Sequence, residues 1–198
     1  MIDPFLVVRQ FEQALAEYTG APFVVTTNSC TMALLLAFAW YRKEGGAEVQ
    51  IPAVTYPSVP MSAHHAGLKI RSIDYKWEGV YPIPVSGIWD CARRFRRGMY
   101  VPGQVQCISF HARKLLPIGS GGAILHDDPQ ADEWYRRARF DGRKEGVATK
   151  DDDYTFPGYH CYMLPEQAAR GLHLLSYYPD NPPDQPQEDY PDMSRWRW

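Results

Sequence analysis

The sequence predicts an α/β protein built on a largely parallel sheet. Short β-branched and apolar runs alternate with segments of helical periodicity, and Gly- and Pro-marked turns separate them. The 198-residue chain, 45% hydrophobic and 22% charged, can bury one sizeable core, or at most two small ones, and has the composition of an ordinary globular protein.

Asp3 and Pro4 suit the start of a helix through Glu17, whose apolar positions Phe5, Val8, Phe11 and Leu15 recur at helical spacing. "APFVVTT" reads as a strand, and "SCTMALLLAFAWYRKEG" as a buried helix capped by Ser29 and stopped at Gly45-Gly46. "EVQIPAVTY" and "KIRSIDY" are strands on either side of a short helix or turn, "PSVPMSAHHAG". "GIWDCA", "VQCISF" and "GAILHD" are further strands, followed by a helix from Pro129 to Arg139 and a polar loop from Asp141 to Asp153. A last helix runs from about Leu164 to Tyr177. From Pro179 the composition turns to Pro, Asp, Gln and Glu, which predicts an extended or disordered tail with little to bury. It closes on "RWRW", an aromatic and basic end suited to docking on the body or on a partner.

A formal net charge of −2 gives no global attraction to nucleic acid or anionic membrane. The longest apolar run, Met32 to Trp40, falls short of a membrane span, and "MIDPFLVV" lacks the basic region of a secretory signal. The four cysteines are dispersed, which argues against a zinc site and fits reduced thiols in a cytoplasm-like compartment. His64-His65 has no spaced ligand partner, so no metal site is expected.

Three segments could carry chemistry, and each follows a predicted strand. "TNSCT" opens a helix, where free N–H groups and the positive dipole end suit a phosphate, although the same pattern also fits a plain serine cap. "IWDCA" ends a strand on Asp90, which could be an ordinary cap or a partner for a protonated ring nitrogen. "CISFHARKLLPIGSGGAILHDD" places Lys114 and Ser109 between a strand and a Gly-rich turn. Together they supply what pyridoxal 5′-phosphate needs: an amine for a Schiff base, a carboxylate for the pyridine nitrogen and a cradle for the phosphate. Tyr56 could stack on the ring face.

These segments, in this order, resemble the DegT/DnrJ/StrS sugar aminotransferases, pyridoxal-phosphate enzymes of the aspartate aminotransferase fold. The resemblance runs through most of residues 8 to 178 and covers the opening helix and strand, "IPAVTYPSVPMSAHHAGLKIRSID", "IWDCARRF", "SFHARK" and "PGYHCYMLPEQAARGLHLL". It implies a three-layer α-β-α large domain with a mostly parallel central sheet over residues 1–178, and a tail over 179–198. It further implies Lys114 as the Schiff-base lysine, Asp90 at the pyridine nitrogen, and Ser109 with the Ser29-Cys30-Thr31 turn on the phosphate. Tyr56 would stack on the ring, and His160 stands where the family uses an Asn to reach a neighbouring subunit's phosphate.

The departures are equally specific. The chain is roughly half the usual family length and lacks the small C-terminal domain that helps close the substrate site. The sheet edge between Asp74 and Ile88 is trimmed. Arg93 replaces a Gln that contacts the cofactor ring's hydroxyl and the substrate region; Ser120 replaces a turn Glu, and Tyr162 an Arg. What survives is cofactor chemistry, and what is altered is substrate chemistry.

The resemblance therefore implies a cytoplasmic pyridoxal-phosphate aminotransferase that passes an amino group from a small donor to a sugar or other keto acceptor. It also implies a homodimer or a heteromer with a longer homologue, with no membrane or nucleic-acid partner. Two alternatives remain: elimination or decarboxylation on a bulky or phosphate-bearing substrate met by Arg93, Arg94, Arg96 and Arg97, and a degenerate, non-catalytic subunit.

Overall fold

The computed structural model describes residues 3–186 and 188–196; Arg197 and Trp198, half of the "RWRW" end, lie outside them. The first helix, α1 (Leu6–Thr19), starts two residues beyond Pro4, with the Asp3 carboxylate accepting from the Phe5 N–H at 2.9 Å, and stops at Gly20 in the left-handed region. It leads into β1 (Phe23–Thr27) and α2 (Cys30–Lys43), which Ser29 caps as expected by accepting from the Met32 N–H at 3.2 Å. β2 (Glu48–Pro52) and β3 (Lys69–Ile73) flank α3 (Ser58–His65) and pair with each other in parallel as a separate ribbon.

The main sheet has five strands in the order β1-β7-β6-β5-β4, with β4 (Tyr81–Ile83), β5 (Ile88–Asp90), β6 (Val105–Ser109) and β7 (Gly122–His126). α4 (Pro129–Ala138) and α5 (Pro165–Leu175) complete the body. The expectation of a largely parallel sheet is corrected: β5 and β6 are parallel, while β1–β7, β7–β6 and β5–β4 are antiparallel. The reason lies in the connections. β6 returns to β7, and β4 to β5, through loops without a crossover helix, and such a return runs antiparallel.

Alternation along the strands builds two cores. Val25, Cys107 and Ile124 point to one face, under α2, α3 and α4; Val24, Ile108, Ala123 and Leu125 point to the other, under α1 and α5. Helices on both faces of one sheet give the three expected layers. A buried ion cluster ties α1 to β1 and α4. Glu12 accepts from the Thr26 N–H at 2.9 Å, from Arg136 at 2.7 Å and from the fully buried Arg139.

Beyond a 3₁₀ turn at Met193–Arg195 the described part of the tail forms no helix or strand, but it is not idle. Asp184 forms a two-pronged pair with Arg94, the Gln185 N–H donates to the Arg93 carbonyl at 2.9 Å, and Asp180 pairs with Arg97. Further on, Met193 is buried (1% exposed) and its N–H donates to the Ala53 carbonyl at 2.7 Å. The expectation that this stretch has little to bury fails because its acidic residues complement the "ARRFRRG" turn of the body.

Candidate active site

Register brings the predicted segments to one edge of the sheet. β1, β5 and β6 run the same way, so Thr27, Asp90 and Ser109 end side by side. Gly122, which opens β7, lies opposite both Thr27 and Ser109. A Cβ on Gly122 would sit 2.4 Å from the Cys30 nitrogen, so its missing side chain lets the start of α2 close against β7.

At this edge lies a cavity of about 260 Å³, near the lower end of the ~300–1,000 Å³ of small-molecule sites. Ser29, Cys30, Thr31, Tyr56, Asp90, Arg93, Ser109 and Lys114 all line it. His160 does not. Its ring is 71% exposed in a neighbouring open groove with Asn28, Ser29 and Ser120, and its Nδ1 lies 3.1 Å from the Asp141 carboxylate. Tyr56 lines the cavity, yet it is 55% exposed and meets Tyr190 edge-on at 5.9 Å.

Lys114 is half-buried, and its amine makes neither a hydrogen bond nor an ion pair to a described residue. Burial first, and then the Arg93 charge, hold its pKa below the usual lysine range, although Asp90 pulls the other way. Asp90 is buried, and its carboxylate accepts from the Ala92 N–H and from the Tyr81 hydroxyl, each at 2.9 Å. Burial pushes its pKa up, and those two donors with Lys114 and Arg93 limit the rise. Cys30 is a neutral wall, because burial and then Asp90 push its thiol well above its ordinary value. The Ser29 hydroxyl is engaged in its cap and the Thr31 hydroxyl with Ser58 at 3.0 Å; the Met32 and Ala33 N–H groups bond to Ser29, so the Cys30 and Thr31 N–H groups are the α2 donors open to an anion.

The sequence reading missed several residues here. Tyr81 stands opposite Asp90 on β4, and Thr55 holds the Tyr81 hydroxyl at 2.5 Å. The signal was the pair of apolar runs around "PVSG", which is a hairpin. Trp77, Glu188 and Tyr190 also line the cavity, and Tyr190 stacks on Trp77.

An α/β sheet that gathers a lysine, a carboxylate and a helix start around one cavity has the make-up of a small-molecule site with an amine in reach. Comparison with known proteins supplies the family. Residues 6–85 and 98–181 match the DegT/DnrJ/EryC1/StrS aminotransferase family, and the chain belongs to that family. It is 25% identical to the spore coat polysaccharide biosynthesis protein SpsC of Bacillus subtilis (strain 168), over 87% of this chain and 57% of that protein.

Among solved structures, the sugar aminotransferase CalS13 from Micromonospora echinospora superposes with a TM-score of 0.76 at 22% identity, over 87% of this chain and 61% of that one. A putative PLP-dependent aminotransferase from Bacillus cereus ATCC 10987 gives 0.72 at 20% identity, over 87% and 58%. The chain thus spans about 57% to 61% of the length of its first relatives.

The family implies pyridoxal 5′-phosphate, and the donor set fits it. A free amine, a buried carboxylate that gains from a facing cation, and a helix N-terminus with a serine beside it converge on one cavity of suitable size. Among the described residues, no group of three or more His, Cys, Asp or Glu is placed to hold a metal ion, and no helix is long and apolar enough to cross a membrane.

Proposed function

We propose that this chain is a pyridoxal-phosphate aminotransferase acting on a sugar or other small keto substrate. The observation that carries the reading is the convergence of Lys114, Asp90 and the α2 start on a single cavity. When bound, the cofactor supplies an electron sink for carbanion chemistry at the substrate's Cα. Lys114 would hold the group through its amine; its lowered pKa leaves that amine more readily free to bond and, once displaced, to carry a proton to and from Cα. Asp90, kept in place by Tyr81 and the Ala92 N–H, would hold the proton on the ring nitrogen. Ser109 and the N–H groups at Cys30 and Thr31 would take the phosphate. Tyr56 would flank the ring.

In this reading two copies pair with the His160 groove facing its neighbour, in a reducing, cytoplasm-like compartment that suits four free thiols. The test is the visible spectrum of the protein with added pyridoxal phosphate, beside Lys114→Ala. A yellow band present only in the wild type and bleached by L-glutamate supports the transferase. Absence of a lysine-dependent band overturns it in favour of a non-catalytic subunit.

A further inference from the structure

Arg93 is 4% exposed, and a guanidinium so buried must have its donors met. Every hydrogen bond it makes with a described residue goes to the C-terminal tail. Nε and Nη2 donate to the Tyr190 hydroxyl at 3.2 and 2.5 Å, Nη1 donates to the Pro186 carbonyl, and the Glu188 carboxylate lies 3.4 Å from Nη2. The body of the protein supplies the cation, and the tail supplies its acceptors.

The tail segment is held at its two ends. It is anchored at Asp184–Gln185 on one side and at Met193 and the Val54–Asp192 bridge on the other, while the N–H groups of Glu188, Asp189 and Tyr190 make no main-chain hydrogen bond to a described residue. Glu188 is itself half exposed, which makes its pair with Arg93 a weak one.

We propose that Arg93 is the receptor for the carboxylate of an amino-acid donor, and that Glu188 and Tyr190 occupy it until the donor displaces them. This deepens the aminotransferase reading and rests on it for the identity of the donor. An amino acid carries its amine and its carboxylate on one carbon, so it needs an imine-forming centre and a cation within one small cavity. Lys114 and Arg93 both line the cavity, and Arg93 is the charge that acts most strongly on Lys114. The planar fork of an arginine takes a carboxylate through two parallel bonds, and the resting occupant already includes a carboxylate. A phosphate has its own place at the start of α2, so Arg93 is free for a different anion.

Succinate, a carboxylate with neither amine nor ketone, tests this on the 198-residue chain without cofactor. Calorimetry gives its affinity, and hydrogen exchange of residues 185–193 reports the tail. Succinate should bind and raise exchange at the Gln185 and Met193 amides, which main-chain bonds protect in the resting state, and Arg93→Gln should weaken binding about tenfold or more. Glu188→Gln, at an exposed position that does not threaten folding, should tighten succinate binding by about two- to fivefold by removing the internal competitor.

Equal affinity in Arg93→Gln, weaker binding in Glu188→Gln, or unchanged tail exchange at saturation would each overturn the proposal. Inorganic phosphate opening the tail as well as succinate would overturn the carboxylate assignment. The lysine-dependent band with pyridoxal phosphate, recorded on the same preparation, separates the two ideas. Its absence with succinate behaving as expected removes the transferase and leaves Arg93 a carboxylate site; its presence with no effect of succinate does the reverse.

Discussion

Tyr81 and Asp90 face each other across the β4–β5 hairpin, and the phenol donates to the carboxylate at 2.9 Å while Thr55 holds its other side. The hairpin therefore aims the carboxylate as well as closing the sheet edge. Tyr81→Phe leaves the buried Asp90 one donor short, a change of about 1–3 kcal/mol in unfolding free energy. Denaturant melts should show that loss, and pyridoxal-phosphate titration should show weaker binding with Lys114 still intact. Unchanged binding would remove Asp90 positioning from Tyr81's role.

Lys114 should react with an amine-directed label at a lower pH than the other lysines, read residue by residue by mass spectrometry. Burial and Arg93 lower its pKa from 10.5, so between its folded value and 10.5 the unfolded chain holds more protons and stability rises with pH. Arg93→Gln removes the leading charge contribution and should move the Lys114 profile to higher pH. No movement would mean that burial alone sets it.

Gly122→Ala puts a methyl 2.4 Å from the Cys30 nitrogen, in contact with backbone that cannot step aside. We expect a loss of about 1–3 kcal/mol by overpacking. Because the displaced element is the start of α2, pyridoxal-phosphate affinity should fall with it, whereas a purely structural role for that turn would lower stability alone.

Glu12 makes a separate, stability-only prediction. Burial alone would raise its carboxyl, but Arg139 and Arg136, with the Thr26 N–H, hold it below 4.5. Its contribution is therefore complete above the ordinary carboxylate range and is lost as pH falls through the lower folded value. Glu12→Gln removes the carboxylate that Arg139 and Arg136 share and leaves them Glu145 and Asp132, at a cost of about 3 kcal/mol at neutral pH, and should flatten the acid limb of the stability curve. A melt with an unchanged acid limb would exclude Glu12 as its source.

Much of this was legible because it is local. α1, α2, α4 and α5 stand where the sequence places helices, α3 resolves a stretch left open between a short helix and a turn, and Ser29 caps α2 where its sequence said it would. Lys114, Asp90 and Ser109 could be singled out because strand ends and a Gly-rich turn flank them in sequence, and the structure brings them to one cavity.

What escaped depends on partners far away along the chain. Strand direction was misread because a helix-free return such as Phe110–Gly121 carries no periodic signal. β4 is only three residues long, too short to show alternation. The tail looked unable to pack because its acids find meaning only beside Arg93, Arg94 and Arg97. Tyr190, which no local pattern marks, is a cavity wall for that reason.

The order of synthesis gives the tail one more consequence. Asp184 and Tyr190 follow their arginine partners by 90 and 97 residues. At translation speeds of ~5–20 residues per second, Arg93 leaves the ribosome about 5–20 s before the acceptors that will cover it exist. For that interval the Arg93 guanidinium has none of its tail acceptors and stays in water, so its burial belongs to the last steps of folding.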